Sequence, residues 1–214
     1  MTDPTRVLII DDHPLFRRGL SQLLELARSF ALVGEAASGQ EGIELARRLD
    51  PDLILLDLNM TGMSGVETLS TLRDLGIDSR IILVTVSNAP EDLVAAIRAG
   101  ADGYILKDNE PDEMLALIDA AMHGRTAISP ELTSLLATAL REERIVEQRS
   151  QVALTEREAT ILKYLAAGMS NKLIARELDI MEGTVKVHIR NLLKKLKFRS
   201  RVEAAVWAVA NGLS

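Results

Sequence analysis

The chain has 214 residues, 47% of them hydrophobic and 26% charged, with a formal net charge of −6 and no cysteine. That composition builds a packed core and excludes disordered and collagen-like polymers, disulfide scaffolds, thiolate catalysis, zinc fingers and iron–sulfur ligation. No apolar run approaches the roughly 20 residues of a membrane span, and the first residues lead straight into a strand, so the expected compartment is the cytoplasm. Charge then divides the chain. Residues 1–125 carry 11 Lys and Arg against 21 Asp and Glu, whereas residues 151–214 carry 11 against 6. A basic final third in an otherwise acidic chain points to two domains, the second with a polyanionic partner.

Residues 1–125 alternate short apolar runs with helical periodicity. Continuous apolar runs over 6–10, 52–56, 80–85 and 103–106 read as strands covered on both faces, with a weaker fifth over 31–36. Amphipathic stretches over 14–27, 39–49, 65–75, 90–99 and 111–122 read as helices. Five strands alternating with five helices predict an α/β doubly wound, five-stranded parallel sheet. Ligands of such sheets sit beyond the carboxyl ends of the strands, where the sequence puts Asp11, Asp12, Asp57, Thr85 and Lys107.

Converging carboxylates repel one another unless a cation lies among them, and an oxygen-rich set suits Mg2+. A carboxylate beside Mg2+, faced by a hydroxyl and an ammonium, has the parts for phosphoryl transfer to Asp57. Thr85 donates a hydrogen bond and Lys107 supplies a point charge. Taken singly, each residue has a plainer use: the acidic pair as a loop cap, Thr85 as a β-branched strand residue, Lys107 as a solvated end charge. His13 follows the acidic pair ahead of Pro14 and reads as a loop residue at the helix N-terminus, not as a ligand.

Asp11-Asp12, Asp57, Thr85 and Lys107 on successive strand ends resemble the receiver domain of two-component response regulators, which is flavodoxin-like. The resemblance implies that Asp57 accepts phosphate from a sensor histidine kinase. It implies that Asp12, Asp57 and the backbone carbonyl of Asn59 hold Mg2+ with Asp11 assisting, and that Tyr104 is a switch aromatic that follows Thr85. Two positions depart from the common receiver pattern. Thr61 stands where many receivers have proline, which predicts a looser loop behind Asp57, and Asp108 follows the lysine where many have a cis-proline.

Residues 126–150 are the expected linker, with a helix over 130–140 and a polar tether over 142–151. In residues 151–214 the spacing predicts an all-α, four-helix domain. Its first helix opens with Thr155 as N-cap and Glu158 completing a capping box, and ends near Gly168; the others run over 171–178, 184–197 and 201–210. The third carries Val185, Ile189, Leu192 and Leu196 as an apolar stripe, Lys186, Arg190, Lys194 and Lys197 on another face, and Val187 beside them. A short helix, a tight turn and a helix with a basic face form a helix-turn-helix sized for the DNA major groove. Lys186 and Arg190 reach guanine edges or phosphates there, and Val187 a thymine methyl. A solvated basic helix is the plainer alternative.

The runs Leu154 to Glu158, Gly168 to Lys172, Ile174-Ala175, Thr184 to His188 and Lys194 to Leu196 resemble the LuxR-type helix-turn-helix domain. His188 lies in its recognition helix, for a phosphate or backbone contact, and Lys194 completes the DNA-facing set. Met181 stands where that family usually has Ser or Thr, and Gly183 where it has a side chain. A lost hydroxyl cap costs about 1 kcal/mol, with Thr184 as the substitute cap.

A receiver followed by this helix-turn-helix is the architecture of the NarL/FixJ subfamily of response regulators, DNA-binding regulators and not enzymes. Residues 50–60 and 194–207 resemble especially its nitrate/nitrite-responsive members, which implies control of nitrate-respiration genes. The implied mechanism is a switch: the unphosphorylated receiver covers the recognition helix, and phosphorylation of Asp57 releases it and permits homodimerisation on double-stranded promoter DNA. RNA polymerase is a further partner, a membrane is not, and residues 151–214 alone are expected to bind DNA without phosphate. The last helix offers Val202, Ala205, Val206 and Val209 as a dimer surface, with Trp207 in the core. Two other classes stay open. A phosphatase using Asp57 is disfavoured by Asn59, where such hydrolases place a second aspartate; a scaffold would bind a partner without phosphorylation.

Overall fold

The computed structural model describes residues 4–123, 154–210 and 212–213; the expected helix over 130–140 and the tether after it lie outside them. The first body runs β1 (Thr5–Ile10), α1 (Pro14–Leu26), β2 (Phe30–Ala36), α2 (Gly39–Leu49), β3 (Leu53–Asp57), α3 (Gly65–Asp74), β4 (Arg80–Thr85), α4 (Pro90–Ala99), β5 (Gly103–Leu106) and α5 (Pro111–Met122). All strands are parallel, in the order β2-β1-β3-β4-β5. Helices cover both faces, so the alternate residues of a strand enter two separate cores: Leu8, Ile10, Ile54 and Leu56 on one side, Val7, Ile9, Leu53 and Leu55 on the other. Continuous apolar runs satisfy both, which is why all of β3 is buried.

Helix starts follow local chemistry. Ser38 caps α2 by accepting the Glu41 N–H, and Ser64 with Glu67 closes a full capping box on α3. Pro occupies the first turn of α1, α4 and α5, where its missing N–H is no loss. Gly65 is required by proximity: a Cβ there would lie 2.2 Å from the Asp57 carbonyl oxygen and 2.6 Å from Leu58 Cα. Its N–H donates to the Leu58 carbonyl at 2.8 Å, which draws α3 against the end of β3.

The second body is helical: α6 (Glu156–Ala166), α7 (Asn171–Glu177), α8 (Glu182–Leu196) and α9 (Arg201–Ala210). The Thr155–Glu158 capping box forms as the spacing predicts. Val185, Ile189, Leu192 and Leu196 are all buried against Ile161, Leu165 and Ile174. One boundary differs. Helix α8 begins at Glu182 rather than 184, its N-cap Met181 makes no side-chain hydrogen bond, and Thr184 is not the cap. Thr184 already lies in the first turn, its N–H donating to the Met181 carbonyl at 2.9 Å.

The two bodies touch along α4 and α9. Val202 is fully buried and Val206 half-buried against the receiver-side core that includes Leu93, Ala96 and Ile97. The dimer surface expected on α9 is corrected accordingly: Val202 and Val206 face the first body, Ala205 is buried in its own core, and of the set Val209 alone is exposed, at 36%. Gly100 closes α4 with φ 106°, and a Cβ there would come within 2.9 Å of Arg199 Cβ, so the glycine also admits the chain entering α9. Trp207 packs on Phe198 with ring centroids 5.6 Å apart, a core position as expected. Among the described residues, no helix is long and apolar enough to cross a membrane.

Candidate functional site

The sheet delivers its five strand-end groups to one edge. Asp11 and Asp57 are each 2% exposed, and the Lys107 ammonium bridges them at 2.8 Å to Asp11 Oδ2 and 2.8 Å to Asp57 Oδ2. Lys107 also stands 4.5 Å above the Phe16 ring, a cation–π contact that ties α1 to the pocket. Asp57 Oδ1 accepts the Asn59 N–H at 3.3 Å. Asp12 Oδ2 accepts the Thr61 N–H at 2.8 Å, and this backbone donor holds the Asp12 carboxyl below its ordinary value. The loop behind Asp57 is therefore not loosened by Thr61: proline has no N–H, so threonine adds a tether that proline forbids.

Two buried oxygens, Asp12 Oδ1 and Asp57 Oδ2, accept no hydrogen bond. The Lys107 ammonium, 2.8 Å from Asp57 Oδ2, forms an ion pair that offsets part of that oxygen's charge. Such orphans normally cost about 1–3 kcal/mol each, more when charged, so two on adjacent carboxylates define a place where a cation fits. His13 belongs to this cluster, which corrects its reading as a loop residue apart from it. It is the N-cap of α1, its side chain caps nothing, and Nδ1 lies 3.0 Å from Asp12, 3.3 Å from Asp57 and 3.4 Å from Asp11 carboxylate oxygens. The sequence signal was its place directly after Asp11-Asp12 and before Pro14, which starts α1 and turns the ring back over the strand end.

Thr85 and Tyr104 meet through Ser87. The Thr85 hydroxyl is fully buried and accepts the Ser87 N–H at 3.1 Å and the Asn59 side-chain amide at 3.4 Å. Tyr104, 1% exposed, donates its hydroxyl to the Ser87 carbonyl at 2.9 Å, and burial pushes its phenol up to about 12, so it remains a donor. Ser87 in turn donates to Asp92 in α4. Ser87 therefore links Thr85, Tyr104 and α4 through three separate hydrogen bonds, made by its N–H, its carbonyl and its hydroxyl.

On the second body, Lys186, Val187, Arg190 and Lys194 are exposed on α8 and His188 is half-buried. Lys186 pairs with Glu182 at 3.7 Å. Arg190 instead reaches Asp78 of the first body at 3.6 Å, and Arg199 reaches Asp74 at 3.4 Å. Both pairs flank a cleft of about 530 Å³ between the bodies, with Lys186 and Arg190 in its wall. Arg201 closes the cleft floor, donating to Asn171 and the Met169 carbonyl at 2.9 Å each. Its burial pushes the guanidinium down to about 10, with Arg80 acting in the same direction and Asp102 against it. These interdomain partners carry no motif: Asp74 and Asp78 belong to a helix end and loop with no chemistry of their own.

Residues 7–119 match the family described as response regulator receiver domain, and residues 152–208 match bacterial regulatory proteins of the luxR family. The chain belongs to the two-component response regulators of NarL/FixJ type, DNA-binding transcription regulators built from these two domains. Among its relatives, the nitrate/nitrite response regulator protein NarL of Escherichia coli K12 is 53% identical over 96% of this chain and 95% of its own. NarP, the second nitrate/nitrite response regulator protein of that strain, is 52% identical over 95% of this chain and 94% of its own. A crystal structure of a LuxR-family two-component response regulator from Aurantimonas sp. SI85-9A1 superposes with a TM-score of 0.60 at 32% identity, covering 64% of this chain and 98% of that one.

Proposed function

We infer that this regulator is switched by phosphorylation of Asp57 and controls nitrate- and nitrite-responsive genes. The observation that carries the switch is the pair of unsatisfied buried oxygens on Asp12 and Asp57, beside Lys107, at the carboxyl edge of the sheet. Asp57 is the phosphoacceptor: one carboxylate oxygen forms the new P–O bond as the P–N bond to the kinase histidine breaks. Lys107 pairs with the incoming phosphoryl group, a reading supported by its 2.8 Å contact with Asp57, and Thr85 gives up Ser87 and donates its hydroxyl. Asp12, Asp57 and the Asn59 carbonyl, with Asp11 beside them, would hold Mg2+, which would supply neutralisation of the phosphoryl charge.

Thr85, Ser87 and Tyr104 carry the change to α4, and α4 is the helix on which α9 packs. In the unphosphorylated chain the Arg190–Asp78 pair and the Val202 and Val206 contacts keep part of the basic face of α8 against the receiver. Release frees Lys186, Val187, His188, Arg190 and Lys194 for double-stranded promoter DNA, with homodimerisation and RNA polymerase contact following. The nitrate assignment rests on identity to NarL and NarP at 53% and 52%.

The test is binding of the full chain to a nitrate-responsive promoter fragment at one stated salt concentration, with and without a small phosphodonor plus Mg2+, beside Asp57→Asn. The expected result is tighter binding by the wild type with the donor and no response in the variant. Identical binding by both proteins under both conditions overturns the switch.

A further inference from the structure

We propose that the His13 imidazole is a nitrogen ligand of the divalent cation in the acidic pocket, which gives the pocket selectivity for cations that accept nitrogen over Mg2+. The inference rests on the reading of that pocket as the cation site of the phosphorylation centre. Its evidence is the distances. Nδ1 lies 3.0 Å from Asp12 Oδ1 and 3.3 Å from Asp57 Oδ2, the two buried oxygens without a hydrogen bond. A six-coordinate cation with bonds of about 2.1 Å separates neighbouring donors by about 3.0 Å, and a four-coordinate one by about 3.4 Å. The nitrogen thus stands at the spacing of a shared cation from each of the two oxygens, and one ligand atom from each of Asp11, Asp12, His13 and Asp57 lies within 4.8 Å of the others.

Each donor is fixed by something other than the cation. Thr61 N–H occupies Asp12 Oδ2 and leaves Oδ1 as the free oxygen. Asn59 N–H occupies Asp57 Oδ1 and leaves Oδ2. The His13 N–H donates to Asp11 Oδ1 at 2.7 Å, which pins the backbone from which the ring projects, and Pro14 fixes the turn after it. The ring is 64% exposed, so a ligand role, not packing, is what its position offers. Mg2+ prefers oxygen donors and binds imidazole weakly, whereas Ni2+ accepts imidazole nitrogen readily; Mn2+, itself suited to oxygen donors, serves as the spectroscopic probe of the same site. One nitrogen among carboxylates therefore shifts the relative affinity toward Ni2+ without removing the Mg2+ site.

The deciding measurement is electron spin-echo modulation of the full chain loaded with Mn2+, for the wild type and His13→Asn, with calorimetric titrations of Ni2+ and Mg2+ beside it. Asparagine is a good N-cap, so the variant keeps α1. The expected result is a directly bonded 14N modulation in the wild type that is lost in the variant. Ni2+ affinity should fall at least about tenfold, and Mg2+ affinity by less than about threefold. Mn2+ binding without 14N modulation in the wild type overturns the His13 ligand and leaves the phosphorylation reading standing. Equal Ni2+ affinity in the two proteins overturns it as well. No binding of Mn2+ or Mg2+ to the wild type at millimolar concentration takes down both.

Discussion

The two functional regions of this chain handle charge in opposite ways. In the receiver pocket the ions are paired inside the protein: Asp11 and Asp57, 2% exposed, share one ammonium at 2.8 Å. On the recognition helix they are paired across a boundary and in water: Arg190 is 73% exposed, and its partner Asp78 is 86% exposed at 3.6 Å. A unit-charge pair at about 4 Å is worth about 1 kcal/mol in bulk water and about 4 at the effective dielectric of 20 that suits protein sites. A charge added in the pocket therefore acts on a tightly coupled set with a discrete response, and a charge changed on α8 acts weakly and additively. The difference is suited to a switch whose input must be decisive and whose output must be reversible.

The sharpest way to break the comparison is Asp57→Asn. Lys107 keeps Asp11 as partner, so the fold survives, but the proposed nucleophile is gone. Hydroxylamine-labile phosphate incorporation from a small phosphodonor should fall to background, and a residual rate near that of the wild type would show that another residue is the acceptor. Next in size is Val206→Asp at the domain boundary. A carboxylate pressed on the core that includes Leu93 and Ile97 loses its hydration without a partner, and separation of the domains relieves that cost. DNA affinity of the unphosphorylated chain should rise by about tenfold, which is about 1.4 kcal/mol. Unchanged affinity would mean that this contact does not hold α8 closed.

The same contrast explains what could be read from the sequence. All five strands and the helices from residue 14 to residue 122 lay where periodicity put them, because a strand buried on both faces is apolar throughout and a capped helix declares its start. Asp11, Asp12, Asp57, Thr85 and Lys107 were legible as a group because a parallel sheet brings its strand ends to one edge. Three features were not. The Thr61 contact is made by a backbone N–H, which every residue except proline carries, so the residue's identity says little. His13 approaches the carboxylates through the turn into α1, which depends on dihedral angles rather than spacing. Asp74, Asp78, Val202 and Val206 matter through the packing of one domain on the other, and no local pattern encodes it. The start of α8 was misplaced by two residues for a related reason: Met181 supplies no side-chain cap to mark it.

A smaller effect isolates stability from switching. Lys195 at 2.7 Å, and after it the Thr155 N–H, hold the Glu158 carboxyl below its ordinary value of 4.5. A depressed carboxylate stabilises the folded state above its unfolded value and loses that contribution as pH falls through the folded one. Glu158→Gln keeps the capping box but loses the charge that pairs with Lys195, and should therefore lower the stability of the helix-turn-helix domain at neutral pH by about 0.5 kcal/mol, the scale of a partly exposed ion pair. Denaturant titrations of wild type and variant should converge as the pH falls from the ordinary carboxylate range through the lowered folded-state value, where the carboxylate is protonated in both states. A gap that persists in acid would assign the loss to packing rather than to charge.

The smallest effect tests the water-exposed half of the comparison. Asp78→Asn removes the partner of Arg190 while keeping its shape, and the pair joins two side chains that are each mostly in solvent. Exposed pairs contribute about 0–1 kcal/mol and are screened by salt, so DNA binding of the unphosphorylated chain should tighten by only about twofold at low ionic strength. At about 0.5 M salt the gain should vanish, although absolute affinity falls in both proteins as phosphate contacts weaken. Anisotropy titrations of labelled promoter DNA at two salt concentrations separate the cases. A salt-independent gain of tenfold or more would mean that Arg190 is held by a desolvated pair, and that the boundary between the domains works by the same buried electrostatics as the pocket.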